Sequence, residues 1–343
     1  MKRIDYLTVI RVVSCVAIVI LHTFFLAVSG FGTSVRQNVA SMFVRNGLLW
    51  AVPCFVMVTG ALLLDPAREV TVPKVLKKYL PRPVIAIFAC TLVFAVFDSL
   101  VTGGPRGAAL ILDWLGKVWR GGSWAHMWYL YLLIGLYLML PLYRLVTERD
   151  DDRLLRYVLI VFFVFLSVIP SVGYLSGTTS GLYILSYTVY PLYMFLGYAL
   201  HTEKLKIPVP AAAALFAAGT ALLLILTYYG IVKDSSAFRQ ASGSFAFFGV
   251  AMQAAGIFSV IRHVVTSRSG ILPAMWNRID RASFGIYLLH LIPIQVFYRV
   301  LRLDPYRSGG GTGIMAVIAL ISFFAAWALA HCIRKIPRVG KYI

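Results

Sequence analysis

RVVSCVAIVILH, residues Arg11–His22, sets an arginine and a histidine at the ends of ten residues without formal charge. The stretch sits inside a longer apolar run, about residues 6–29. A helix needs about 20 mostly apolar residues to cross the hydrocarbon core of a bilayer. The stretch is therefore either a buried helix of a soluble core or a membrane span holding two ionisable groups. Composition decides between them. Of 343 residues, 60% are hydrophobic and only 13% charged, whereas ordinary soluble domains are about 45–50% apolar and about 25% charged. A water-soluble fold of this size has too little interior to hide so much apolar surface.

The remaining chain repeats the pattern. Ten stretches are long and apolar enough to span: about 6–29, 46–65, 83–102, 126–146, 155–173, 182–201, 208–232, 244–264, 282–302 and 312–332. The predicted fold is an all-α integral membrane protein of about ten transmembrane helices. It is expected to form one domain over residues 1–343 with no appended soluble domain. Ala27-Val28-Ser29 has the look of a cleavage site. The run before it is too long for a signal-peptide core and carries Arg11 and His22, so it reads as an uncleaved first span.

The formal net charge is +19. The lysines and arginines lie mostly in short loops, where anionic lipid headgroups are the natural counter-charge, and no basic domain or Cys/His finger points to nucleic acid. With a cytoplasmic N-terminus, the inside segments hold 21 of the 32 Lys and Arg and the outside segments 10. This bias places both termini in the cytoplasm, in a multi-pass protein of the cytoplasmic (inner) membrane. The four cysteines, Cys15, Cys54, Cys90 and Cys332, fall in apolar runs without CxxC spacing, and they read as small buried hydrophobes. No two histidines stand at i, i+4 and no HExxH occurs, so no metal is expected. GGGTG, at 309–313, reads as a flexible turn in an outside loop.

In this topology Arg11 lies near the cytoplasmic side, and His22 lies eleven residues, or roughly 16 Å, further along the helix axis. Eleven steps of about 100° bring both side chains onto one face. Two readings stay open for each. Arg11 either snorkels to the inner headgroups or faces a wet cavity, and His22 is either a hydrogen-bonded histidine at a helix contact or a working imidazole. Asp98 is a rare acid near the outer end of the third span; it either orients a histidine or reaches the interface. His290, in mid-span, reads best as a buried structural histidine. An intramembrane Arg and His also suit a substrate path, so a transporter or exporter of glycans or small solutes is the rival to an enzyme.

Taken together, several segments resemble the membrane-bound acyltransferase-3 family in order along nearly the whole chain. They are IRVVSCVAIVILH (10–22), VPCFVMVTGALLL (52–64), KVLKKYLPR (74–82), HMWYLYLLIGLYLMLPL (126–142), MFLGYAL (194–200) and SFGIYLLHLIPIQ (283–295). The chain departs from the family pattern in three places. Lys74, Lys77 and Lys78 stand where arginines are usual, Thr59 replaces the Ser before Gly60, and Asp5 lies six residues before Arg11.

The resemblance implies ten helices and an acyltransferase, in the surface-polysaccharide O-acetyltransferase-like branch. Such an enzyme moves an acetyl or other acyl group from cytoplasmic acyl-CoA to a hydroxyl of a cell-surface or lipid-linked carbohydrate. It implies acetyl-CoA as donor, a carbohydrate acceptor and membrane lipids as partners. It makes His22 the base, with His126 and Trp128 on the acceptor side or polarising the carbonyl. Arg11, Lys74, Lys77, Lys78 and Arg82 become the groups that hold CoA. Read from the residues alone, the four on the loop are ordinary inside charge, Trp128 is an interfacial belt residue and His126 faces solvent.

Overall fold

The structure, a computed structural model, describes residues 4–149, 151–177, 188–267, 272–307, 311–337 and 340–342. Every regular element among the described residues is helical. In chain order they are α1 (Asp5–Gly30), α2 (Val35–Gly47), α3 (Ala51–Leu63), α4 (Val72–Lys74), α5 (Pro81–Thr102), α6 (Ala108–Arg120), α7 (Trp128–Thr147), α8 (Asp152–Phe163), α9 (Ile169–Ser176), α10 (Tyr190–His201), α11 (Val209–Val232), α12 (Ser236–Gly243), α13 (Phe248–Thr266), α14 (Ala274–Leu289), α15 (Leu291–Gln295) and α16 (Gly311–Arg334). Short π-helical turns join α4 to α5 and α8 to α9, and extend α15 to Val300.

Among the described residues, eight helical stretches are long and apolar enough to cross a membrane, and α14 with α15 makes a ninth, bent by 41°. The chain is a multi-pass membrane protein. Of the expected sixth span, 182–201, residues 182–187 lie outside the described residues, as do 309–310 of the GGGTG turn.

Local sequence explains the ends and breaks. Ser34 caps α2 reciprocally with Gln37, whose backbone N–H it accepts while the Gln37 side chain accepts from the Ser34 N–H. Gly103, at φ +69°, closes α5 in the left-handed conformation. The bend between α14 and α15 falls at His290, three residues before Pro293. Proline lacks an N–H and its ring crowds the carbonyl four residues earlier, so the straight ladder cannot continue there.

Two packing relations position the site. The first is a close crossing of α3 and α10. A Cβ on Gly60 would lie 2.0 Å from the Met194 carbonyl oxygen, and one on Gly197 would lie 2.1 Å from that of Met57. Only glycine lets two backbones touch this way, and inside a membrane such packing replaces the hydrophobic drive between helices. The second is the parallel pairing of α1 with α14–α15. Arg11 meets Asp280, Cys15 donates to the Ser283 carbonyl at 3.8 Å, His22 meets His290, and the Thr23 carbonyl accepts from Tyr298 at 3.1 Å. The partners climb together along both helices.

These contacts sort the bundle into two ends. The terminal end carries the start of α1 and the finish of α16. There Tyr6 hydrogen-bonds His201, and buried Arg144 donates to the Leu63 and Asp65 carbonyls, each at 3.0 Å. The far end carries Ser41 against Tyr306, at 2.8 Å, and Asn46 against Thr227, at 2.7 Å.

Candidate active site

Three histidines from three elements meet in the far half of the bundle. His22 comes from α1, His126 from the turn before α7 and His290 from the α14–α15 bend. Their ring centroids are 6.2 Å apart for His22–His126, 5.0 Å for His22–His290 and 5.2 Å for His126–His290. His126 and His290 are fully buried, while His22 is partly exposed and lines a cavity of about 440 Å³. His126 therefore does not face solvent.

The hydrogen bonds assign the tautomers. A carbonyl oxygen only accepts, so a ring nitrogen bonded to one carries the proton. His290 Nδ1 donates to the Tyr287 carbonyl at 2.7 Å, which leaves Nε2 a lone pair. His22 Nδ1 lies 3.1 Å from the Ile18 carbonyl and 3.1 Å from His290 Nε2, so its proton is shared between two acceptors. That fixes the lone pair of His22 on Nε2. His126 Nε2 donates to the Leu288 carbonyl at 3.1 Å, and its Nδ1 is a buried lone pair without a hydrogen-bond donor. Tyr287 ties the arrangement together by donating to the backbone carbonyl of His126. The three rings are thus held in register by carbonyls that α1 and the α14–α15 bend expose.

The cavity at His22 has a polar lining with its charges paired. Arg299 lies 2.5 Å from Asp98, which also accepts from the Trp124 indole at 3.0 Å. Trp124 stacks on Phe94 with centroids 4.2 Å apart and planes within 5°. Lys117 and Asp113, on α6, form a second pair at 2.8 Å, and Gln295 adds an amide. The opposite face of α6 is apolar: Ile111, Leu112, Leu115 and Trp119 are all exposed. Asp98 therefore neither orients a histidine nor merely reaches the interface; it neutralises Arg299.

The other sequence candidates divide between the two ends. Arg11 does lie on the His22 face of α1, since both meet α14–α15. It forms a two-point pair with Asp280, Nε to Oδ1 at 2.7 Å and Nη2 to Oδ2 at 3.1 Å. Arg82 places its guanidinium 4.3 Å from the centroid of the Phe284 ring, one turn beyond Asp280. Lys74 donates to the Glu69 carbonyl at 2.7 Å, and Lys77 and Lys78 are exposed. Trp128 stands apart from the histidines, with Tyr190 and Phe245 each 5.6 Å from it, centroid to centroid.

Sequence reasoning passed over Asp280 and gave His290 only a structural part. The signal for both was spacing: Asp280 and His290 lie ten apart as Arg11 and His22 lie eleven apart, the match of two parallel helices.

The acyltransferase-domain model of the acyltransferase-3 family matches residues 4–331. The chain belongs to the acyltransferase-3 family. No curated protein and no solved structure matches it. The match covers α1 through most of α16, so the histidine cluster, the far cavity and the paired Arg11 all lie within the acyltransferase domain. The protein is a membrane acyltransferase. Among the described residues, no three His, Cys, Asp or Glu side chains converge as metal ligands.

Proposed function

We propose that this acyltransferase moves an acyl group, in the first place acetyl, from acyl-CoA on the cytoplasmic side to a hydroxyl of a carbohydrate. The acceptor belongs to the cell surface or its lipid-linked precursor, and the membrane is the cytoplasmic one. The observation that carries this reading is the His22 Nε2 lone pair, left free by the contacts of Nδ1 with the Ile18 carbonyl and His290, in a ring that lines the far cavity.

The reaction follows from that lone pair. Nε2 takes the proton of the acceptor hydroxyl as its oxygen attacks the thioester carbonyl carbon. The C–S bond breaks, the CoA sulfur leaves, and the imidazolium returns the proton to it. The products are the ester and CoA with a free thiol. His290 acts as a positioning residue: it accepts the Nδ1 proton and stabilises the imidazolium, as an orienting partner does in a triad. His126, with an unpartnered buried nitrogen beside His22, receives the acceptor hydroxyl or an ordered water. Trp128, away from the rings, takes a place in the wall on the acceptor side. A cavity with balanced charges, an amide and an aromatic edge suits a neutral, hydroxyl-rich acceptor, and the lipid-facing side of α6 suits one delivered on a lipid.

Two observations support the topology, with both termini cytoplasmic and ten spans. One is the bias of Lys and Arg towards the terminal end. The other is parity. Parallel α1 and α14 require an odd number of crossings between them, and six of the long stretches lie between them. Counting α10, which crosses α3 at Gly60 and Gly197, makes the seventh. A single domain over 1–343 is supported by one hydrophobic cluster that draws buried residues from Tyr6 to Ala330.

The test is transfer of labelled acetyl from acetyl-CoA to candidate glycans by the purified protein, comparing wild type with His22→Ala. Loss of about 10²–10⁴-fold in rate is expected from removing a general base. Full transfer by a folded His22→Ala protein would sink the mechanism.

A further inference from the structure

The terminal end holds a second cavity, of about 600 Å³, between α14 and α16. Arg278 and Arg281 enter it from α14, His331 and Arg334 from α16 and Lys335 from the turn just after it, with Trp327 beside them. Among the described residues, no carboxylate lines it. Four permanent cations gathered around one hollow repel one another, and the local charge is relieved only by an anion carrying several negative charges. Arginine forks match phosphate oxygens in two-point contacts, and an indole offers a face to a planar base.

The helix that walls this cavity also leads to the histidines. Arg281, Phe284, Tyr287 and His290 follow one another at i, i+3 along α14 to the bend, a row that turns about 60° at each step and so passes about half-way round the helix. Arg281 lines the cavity, Phe284 lies under the Arg82 guanidinium, Tyr287 bonds the His126 carbonyl, and His290 contacts His22. From Arg281 to His290 is nine residues, roughly 13 Å along the axis. An extended arm between a phosphate-bearing head and a reactive carbonyl covers that length.

We propose that the α14–α16 cavity is the subsite for the nucleotide end of the donor, binding its 3′-phosphate and diphosphate on Arg278, Arg281, Arg334 and Lys335 with the adenine against Trp327. The proposal rests on the acyl-CoA reading above. It moves the main phosphate contacts from the Lys74–Lys78 stretch to α14 and α16, with Arg82 and Arg11 beside the route of the arm. A phospholipid headgroup presents similar phosphate chemistry, and the experiment separates the two.

Binding of CoA and of 3′-dephospho-CoA is measured by calorimetry, with protein in nanodiscs of phosphatidylcholine alone and of phosphatidylcholine with phosphatidylglycerol. Wild type is compared with Arg281→Gln/Arg334→Gln; both residues are exposed, so the fold is retained. Expected are a loss of CoA affinity of about ten- to a hundredfold in the variant, and wild-type preference for CoA over 3′-dephospho-CoA that the variant lacks. CoA affinity unchanged in the variant, with wild type binding CoA, overturns this subsite alone. Phosphatidylglycerol abolishing wild-type CoA binding in step with its content overturns it in favour of a headgroup site. No CoA binding by wild type under any condition overturns the donor reading, and this subsite with it.

Discussion

The two cavities differ in how charge is arranged. At the far end, Asp98 faces Arg299 and Asp113 faces Lys117, so each cation has its carboxylate. At the terminal end, Arg278, Arg281, Arg334 and Lys335 line a larger hollow with no carboxylate among the described residues. Balanced pairs hold a polar wall in shape without drawing in net charge, whereas an unbalanced cluster is poised for an anion. A transferase that joins a phosphorylated donor to a hydroxyl-bearing acceptor needs this division, with the base between the two. A carrier that moves one solute through one path has no use for walls of opposite character.

The largest way to break the comparison acts at the junction, on His290. Removing one of the two acceptors of the His22 Nδ1 proton leaves the ring held by the Ile18 carbonyl alone and takes away the group that stabilises the imidazolium. His290→Ala is expected to lower kcat about 10–100-fold, the range seen when groups that orient a working ligand are lost, with both KM values unchanged. His290→Gln keeps an oxygen able to accept that proton and recovers part of the rate. If His290→Gln and His290→Leu fall equally, or if KM moves instead of kcat, His290 is packing rather than positioning.

A smaller effect is expected at Asp98. Asp98→Asn keeps the shape and leaves Arg299 as an unbalanced cation in the far cavity. The acceptor KM should rise about tenfold, consistent with the roughly 1–3 kcal/mol attached to a partly buried polar partner left unsatisfied. The donor KM should stay put. Adding Arg299→Gln restores neutrality and should recover part of the loss, which a double-mutant cycle reads directly. A change in donor KM with acceptor KM intact would reverse the assignment of the two ends.

Much of this was legible in the sequence, and for physical reasons. Apolar runs near 20 residues declare spans, and the His22–Arg11 spacing declares a shared face. The order of weak motifs declared the family. Gly60 and Gly197 sat inside two of those motifs, but their purpose, the touching backbones of α3 and α10, depends on a contact between segments distant in sequence. The same holds for His290. Alone it reads as a buried structural histidine, because Pro293 announces a bend locally but nothing local says that the bend turns the ring towards His22. Asp98 was ambiguous until Arg299 was seen opposite. The inner cations were read on the stretch where they are densest, Lys74–Arg82, whereas the hollow is built by two pairs distant in sequence, one on α14 and one at the end of α16.

Ionic strength gives the gentlest test and the one that compares the two ends in a single protein. Ions screen charges beyond about 10 Å at 0.1 M and about 3 Å at 1 M. A donor held by exposed cations, such as Arg278 and Arg334, loses attraction as salt rises. An acceptor held in a cavity whose charges are already paired does not. Raising salt about tenfold from low ionic strength should therefore raise the donor KM several-fold while the acceptor KM stays nearly flat. The Arg281→Gln/Arg334→Gln variant should show a shallower donor slope than wild type, because fewer ionic contacts remain to be screened. Parallel salt responses at both substrates would mean that the two cavities recognise the same kind of charge, and the division of labour between the ends would fall.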